Sequence, residues 1–265
     1  MAMVLGLSAQ PARAQNLFVS DSSGNIYEFT PGGVRSTFAS GLDPGGLAFD
    51  SAGNLYEADW GNGSIYKFTP SGTRSTFATG LTSYSLAFDS AGNLYDGKDG
   101  TIAKYTPGGT QSTFAGGVAT FGLAFDGTGD LFASDFSSDT IFKFTSDGTR
   151  STFASLYNPL GLACDSAGNV FATSTTGNIY KFTPSGTQST FVTGLGYVGL
   201  AFDGSGNLYT TGGPNIVKVT PGGTESTFAT GLPGPRYLAF QVPEPSTWVM
   251  VGVGAIALLG FRRLK

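Results

Sequence analysis

The chain of 265 residues has no histidine, one cysteine and few charges. Without histidine there is no Ser-His-Asp or Cys-His catalytic centre and no His-ligated zinc site. The single cysteine, Cys164, excludes an intrachain disulfide. Charged residues make up 12%, about half the ordinary share of ~25%. Lys and Arg number 14 against 18 Asp and Glu, with no basic stripe, so nucleic acid is excluded as an expected partner. No apolar run reaches the ~20 residues that usually span a bilayer. What the chain does have is glycine, 41 residues, and aromatic side chains, with 22 Phe. That many aromatics excludes a disordered acidic chain, and that much glycine argues against a helical bundle.

An internal repeat decides the fold class. Leu-Ala-Phe-Asp begins at Leu47, Leu86, Leu123 and Leu200, with variants at Leu162 (Leu-Ala-Cys-Asp) and Leu238 (Leu-Ala-Phe-Gln). Ser-Thr-Phe begins at Ser36, Ser75, Ser112, Ser151, Ser189 and Ser226. Each unit holds four short segments rich in Phe, Tyr, Ile and Thr and bounded by Gly, Pro, Asn or Asp, the pattern of strands. In the second unit these are 47–49, 54–58, 64–69 and 73–78. In Ile65-Tyr66-Lys67-Phe68, alternation turns Lys67 away from the buried face. A four-stranded antiparallel sheet repeated six times predicts an all-β, six-bladed β-propeller. The chain enters the repeat at a second strand (16–19) and ends it on an orphan first strand (237–241). Pairing of these two closes the ring and removes its exposed edges.

Asp-Ser-Ala-Gly-Asn (Asp50–Asn54, Asp89–Asn93, Asp165–Asn169) joins first and second strands. It lacks the later bidentate Glu of a calcium loop and is read as a turn. Thr-Pro-x-Gly-Thr (Thr69–Thr73, Thr183–Thr187) joins third and fourth strands. The repeat beginning Gly46-Leu47-Ala48-Phe49-Asp50 resembles NHL-type and related six-bladed propeller repeats over residues 16–241. Such relatives range from sugar lactonases and virginiamycin B lyase to binding scaffolds. The lyase resemblance implies a catalytic His, which is missing. A lactonase resemblance implies a metal held by Glu, Asn and Asp, and none of Glu28, Glu57, Glu225 or Glu244 falls in a recognisable motif of that kind.

The two ends read as addresses. Ala12-Arg13-Ala14 fits the small-x-small pattern of signal peptidase, with cleavage before Gln15. The apolar stretch ahead of it is short and uncharged, so a start upstream of Met1 is expected. Residues 1–14 are then a signal-peptide remnant, 15–241 the propeller and 242–265 a sorting segment. That segment runs from Pro243-Glu244-Pro245 through an apolar stretch from Trp248 to Phe261 to a basic tail of Arg262, Arg263 and Lys265. The stretch is expected to be a short hydrophobic helix, with the basic tail on the cytoplasmic side. The arrangement closely resembles the PEP-CTERM sorting signal of Gram-negative bacteria. The resemblance implies recognition by an exosortase, insertion in the inner membrane before processing, and delivery to the envelope or to extracellular polysaccharide and biofilm matrix. Loss of Arg13, Arg262, Arg263, Lys265 and Glu244 takes the formal net charge from −4 to −7.

Strand order places the loops between second and third strands and between blades on one face. Two positions before each Leu-Ala-Phe stand Gly45, Tyr84, Phe121, Leu160, Val198 and Arg236, which predicts a ring at the channel mouth with Tyr197 and Tyr237 nearby. These residues plug the channel or offer an aromatic face to sugar rings or peptide side chains. A second ring holds Asp21, Asp59, Asp99 and Asp135, then Ser174 and Gly212. Four carboxylates on consecutive blades suit Ca²⁺, although each Asp can equally cap its own turn. Beside Asp59, Trp60 is expected to be exposed. The expectation is an exported, non-catalytic binding or matrix protein without a cofactor, engaging polysaccharide or an envelope protein. The alternative is a metal-dependent hydrolase or lyase built on the Asp ring.

Overall fold

The computed structural model describes residues 15–80, 82–98, 100–195 and 198–242. The leader cleavage residues Ala12 and Ala14, the motif Pro243-Glu244-Pro245 and the segment from Trp248 to Lys265 lie outside the described residues. So do the expected C-terminal helix, Asp99 and Tyr197.

Twenty-four strands form six four-stranded antiparallel sheets among the described residues. Blade 1 is built from both ends of the chain. Its inner strand is Pro235–Phe240, followed outward by Leu17–Asp21, Asn25–Phe29 and Arg35–Ser40. Leu17 pairs with Phe240 and Val19 with Leu238, so the ring closes as the phase of the repeat predicts. Blades 2 to 6 begin at Pro44, Ser83, Thr120, Pro159 and Leu200 and run through Thr79, Gly116, Ser155, Val192 and Ala229. In blades 1 to 5 the inner strand begins before the apolar motif, because a residue beyond a bulge still pairs with the second strand, Pro44 with Asp59 and Pro159 with Ser174; in blade 6 it begins at the motif itself.

The core lies in the seams between blades. At the seam of blades 2 and 3, the Tyr56 ring meets Phe77 of its own outer strand and Phe88 of the next inner strand, both edge-on, with centroids 5.1 and 5.0 Å away. The same trio recurs around Phe18, Tyr95, Phe171 and Tyr209. Edge-to-face contacts of this kind add to the area they bury. At the seam of blades 4 and 5 the third ring is replaced by Cys164, leaving Phe132 with Phe153 alone. Burial pushes the Cys164 thiol pKa up, which keeps it protonated and unreactive.

Lys67 is not free in solvent. Its ammonium lies 5.2 Å from the centroid of Tyr56 and 3.6 Å from Asp50. A long cationic side chain covers an apolar ring while its head finds a carboxylate, and Lys104 and Lys218 repeat the arrangement.

Turn chemistry follows the sequence. Asp50 accepts the amides of Ala52 and Asn54 on one oxygen and the Asn54 side-chain amide on the other. Gly53, at φ 78°, supplies the left-handed residue this turn requires. Around the axis, Gly122, Gly161 and Gly199 lie against the carbonyls of Leu160, Val198 and Arg236 of the next blade, and a Cβ at any of them would strike that backbone. Glycine there lets neighbouring inner strands approach closely and pinches the channel.

Candidate functional site

The face bearing the loops between second and third strands gathers the residues of the first predicted ring. Tyr84 and Phe121 are stacked, centroids 5.4 Å apart with planes 20° from parallel. Trp60 meets Tyr84 edge-on at 5.5 Å, and Phe121 contacts Phe136 at 6.1 Å. The four rings make a continuous arc over blades 2, 3 and 4. Leu160 is buried and Val198 half-buried farther round. Phe136, 40% exposed, and Tyr157, 61% exposed, are the large apolar side chains most open on this face.

Arg236 closes one end of the arc. Its guanidinium carbon lies 5.0 Å from the Trp60 ring centroid, and Nη1 is 3.1 Å from Asp43 Oδ1. Trp60 is therefore not the exposed loop residue that its sequence neighbours suggest. It is half-buried between Arg236 and Tyr84, and it lies down over Gly45, where a Cβ would strike the indole nitrogen. Gly45 is the gap in the aromatic ring of residues, and Trp60 fills it.

Beneath this surface several polar groups are buried without a hydrogen-bond partner: both oxygens of Glu57, Trp60 Nε1, Ser85 Oγ and the Tyr237 hydroxyl. Glu57 is fully buried, and its carboxyl pKa is raised to about 9, first by desolvation and then by the nearby charge of Asp59. The Gly45 backbone opposes the shift but is not in hydrogen-bond geometry with either oxygen. Burial likewise raises the Tyr237 hydroxyl pKa. Glu57 was not singled out from sequence as a site residue. The available signal was an acidic residue at a strand position held by Val19, Ala133 and Ala172 in other blades. Asp96 shares that position in blade 3, where the Ser83 hydroxyl donates to Oδ1 and Lys98 Nζ lies 3.3 Å from Oδ2, an oxygen that makes no hydrogen bond.

Each described member of the acidic ring serves its own turn. Asp21 accepts the amides of Ser23 and Asn25. Asp59 accepts those of Asp43 and Asn62, and Asp135 those of Ala119, Ser137 and Ser138. In blade 3 the residue paired with the start of the inner strand, as Asp59 is in blade 2, is Lys98. A cation thus stands in the acidic series. Among the described residues no three His, Cys, Asp or Glu side chains are grouped closely enough to hold a metal ion.

The channel below is nearly closed. The axial cavity is about 90 Å³, lined by Gly46, Ser85, Gly122, Gly161 and Tyr237 among others. That is room for a few water molecules at most. Hydroxyls from second strands bolt its wall together. Ser134 Oγ accepts the Gly122 amide at 2.7 Å and donates to Leu160 O of the next blade at 2.5 Å, and Ser20 makes the corresponding pair with Tyr237 N and Gly45 O.

The chain ends leave from the opposite face. Gln241 N donates to Asn16 O, and the Gln15 side chain bonds Gln241 O and the Gly204 amide.

Fold and site define a six-bladed propeller whose variable face is aromatic and whose termini exit together on the other side. Residues 241–263 match the PEP-CTERM protein-sorting motif, which indicates export, sorting to the cell envelope and processing by exosortase. None of the curated proteins matches the sequence. Among solved structures, a chain of a nidogen/laminin complex is similar with TM-score 0.76 and 20% identity, covering 86% of this chain and 98% of its own. A gluconolactonase from Xanthomonas campestris reaches TM-score 0.70 at 20% identity, over 76% of this chain and 80% of its own. Virginiamycin B lyase from Staphylococcus aureus reaches 0.62 at 18%, over 75% and 77%. At these identities the likeness shows the fold alone.

Proposed function

We propose that the protein is an exported binding module of a Gram-negative envelope, not a catalyst, and that it engages matrix polysaccharide or an envelope protein through its aromatic face. The arc of Trp60, Tyr84, Phe121 and Phe136 carries this reading. A fixed scaffold presenting variable, part-exposed aromatic residues is the usual design of a recognition surface. The matched segment begins at residue 241, where the described chain leaves the closing blade on the face opposite the arc. The membrane-inserted state before processing, and any tether kept afterwards, therefore leave the arc pointing outward. Ser22, Asp43 and Ser138 lie on that outward face, and Asp50, Pro70 and Asp203 on the other. The test is co-sedimentation of the full chain with polysaccharide and protein fractions of the producing envelope. Retention that falls in a Phe121→Ala variant supports the reading, and retention indifferent to this substitution overturns it.

The metal-dependent hydrolase reading draws on the buried carboxyl of Glu57, since strongly shifted carboxylates cluster at catalytic sites. Against it, Asp21, Asp59 and Asp135 already spend their oxygens on local amides. Ca²⁺ titration of the full chain decides between them. A bound ion raises the melting temperature by mass action, and the binding-module reading predicts the same temperature with Ca²⁺ and with a chelator. A Ca²⁺-dependent rise abolished in Asp59→Asn favours the hydrolase and justifies a lactone screen.

A further inference from the structure

We propose that Asn62 is a self-modifying residue of the outward face. Its side-chain amide closes onto the Gly63 backbone nitrogen and the ring opens to an aspartyl or isoaspartyl link, so the loop carrying Trp60 changes chemically as the exported protein ages. The conversion does not depend on what the aromatic arc binds.

Sequence and fold both single this residue out. Of the ten asparagines, Asn62 alone precedes a glycine; the other nine precede Leu, Ile, Val or Pro. A side chain on the following residue crowds the approach of its nitrogen to the amide carbon, and glycine has none. Glycine on both sides, Gly61 and Gly63, gives the backbone the freedom that ring closure needs. Asn62 is exposed, in the turn between the second and third strands of blade 2. Its hydrogen bonds are those of its backbone: the amide donates to Asp59 Oδ1 at 2.7 Å, and the carbonyl accepts from Ser64 Oγ at 3.3 Å. Among the described residues its side chain has no partner, and neither has the Gly63 amide, the group that must attack. Asn54, Asn93, Asn169 and Asn207 differ. Each side chain donates to the Asp at the head of its turn, and the next residue begins a strand.

The chemistry needs only water. Gly63 N gives up its proton to solvent and bonds to Asn62 Cγ. The Cγ–Nδ2 bond breaks, and Nδ2 takes a proton and leaves as ammonia. The five-membered imide then takes up one water. Opening at one carbonyl leaves an aspartyl residue; opening at the other leaves an isoaspartyl link, in which the main chain runs through the side-chain carbon. Either product carries a carboxylate that the amide lacked, in a turn that already holds Asp59 and meets Asp43. The isoaspartyl link also lengthens the main chain between Asp59 and Ser64, which pair across the hairpin. Added charge and added length both bear on Trp60, which this turn holds against Arg236 and Tyr84.

The experiment incubates the full chain at pH 8 and at pH 5. It follows the mass of each asparagine-bearing peptide, the isoaspartate content and the tryptophan emission. A synthetic peptide of residues 58–66 is the unfolded reference. At pH 8 Asn62 is expected to convert further than the other nine asparagines together, at a rate near that of the free peptide. Conversion is slower at pH 5, because the attacking nitrogen must lose its proton. Emission drifts as conversion proceeds. Asn62→Gln, whose longer side chain would have to close a six-membered ring, keeps its mass and emission constant, and an unchanged melting curve verifies its fold. An intact Asn62 in the folded chain while the free peptide converts, equal conversion at other asparagines, or conversion with no change in emission overturns the inference. Co-sedimentation with envelope fractions uses fresh protein, so the binding reading stands or falls separately.

Discussion

Glu57 is a carboxyl with no partner inside a seam otherwise lined by Leu47, Leu55 and Phe18. Its proton is held to about pH 9 in the fold, against 4.5 for an ordinary glutamate side chain. Below pH 4.5 the group is protonated folded or unfolded. Between 4.5 and 9 the unfolded chain has lost its proton while the fold keeps it, so stability declines as pH rises through that window. The slope contributed is at most about 1.4 kcal/mol per pH unit. Glu57→Gln is expected to flatten the decline and to raise the melting temperature at pH 8, measured by calorimetry from pH 4 to 9. An unchanged profile would contradict the burial argument. Cys164 offers a second test. It stands where other seams place a third aromatic ring, so Cys164→Phe is expected to stabilise the fold by about 1 kcal/mol, read by denaturant unfolding. Destabilisation would mean that the seam has repacked around sulfur. Neither residue was hard to notice in the sequence, but their energetic roles differ. Cys164 was legible because the repeat shows what it replaces. Glu57 was not, because its effect depends on which groups across the seam fail to reach it.

Turns and seams at the scale of the element were largely legible. Asx side chains, Pro and positive-φ Gly act over four or five residues, so Asp165-Ser-Ala-Gly-Asn169 carries its own instructions. Asp165 accepts the amides of Ala167 and Asn169 and the Asn169 side chain. Among the described residues it makes no ion pair, so Asp165→Ala isolates the turn. A loss of about 1 kcal/mol is expected, comparable to removing a helix cap, and no loss would show the turn to be held by the strands alone. The acidic ring was less legible. Counting from Asn93 reaches Asp99, whereas pairing with Ser83 gives the place to Lys98. Register in blade 3 is set by a shorter hairpin, with Lys98 paired directly to Thr101, and counting along the chain does not see that. Trp60 misled for a related reason. Polar neighbours suggested exposure, but the gap at Gly45 and the guanidinium from Arg236 come from other strands, the latter 176 residues away in a ring that must close before they meet.

For the whole molecule, closure ties position to function. Because blade 1 is shared between the two ends, both leave on one face, and the sorting motif at 241–263 begins where the ring is sealed. The aromatic arc lies on the other face. The account's central claim is that one face is for processing and the other for binding. The most direct measurement compares where the processed protein resides in producing cells carrying Phe121→Ala or, on the opposite face, Lys67→Ala. The account predicts that the Phe121→Ala protein is processed normally but lost from the envelope and matrix into the medium, while Lys67→Ala is retained like the unaltered protein. Retention of the Phe121→Ala protein, or release of both, would contradict it.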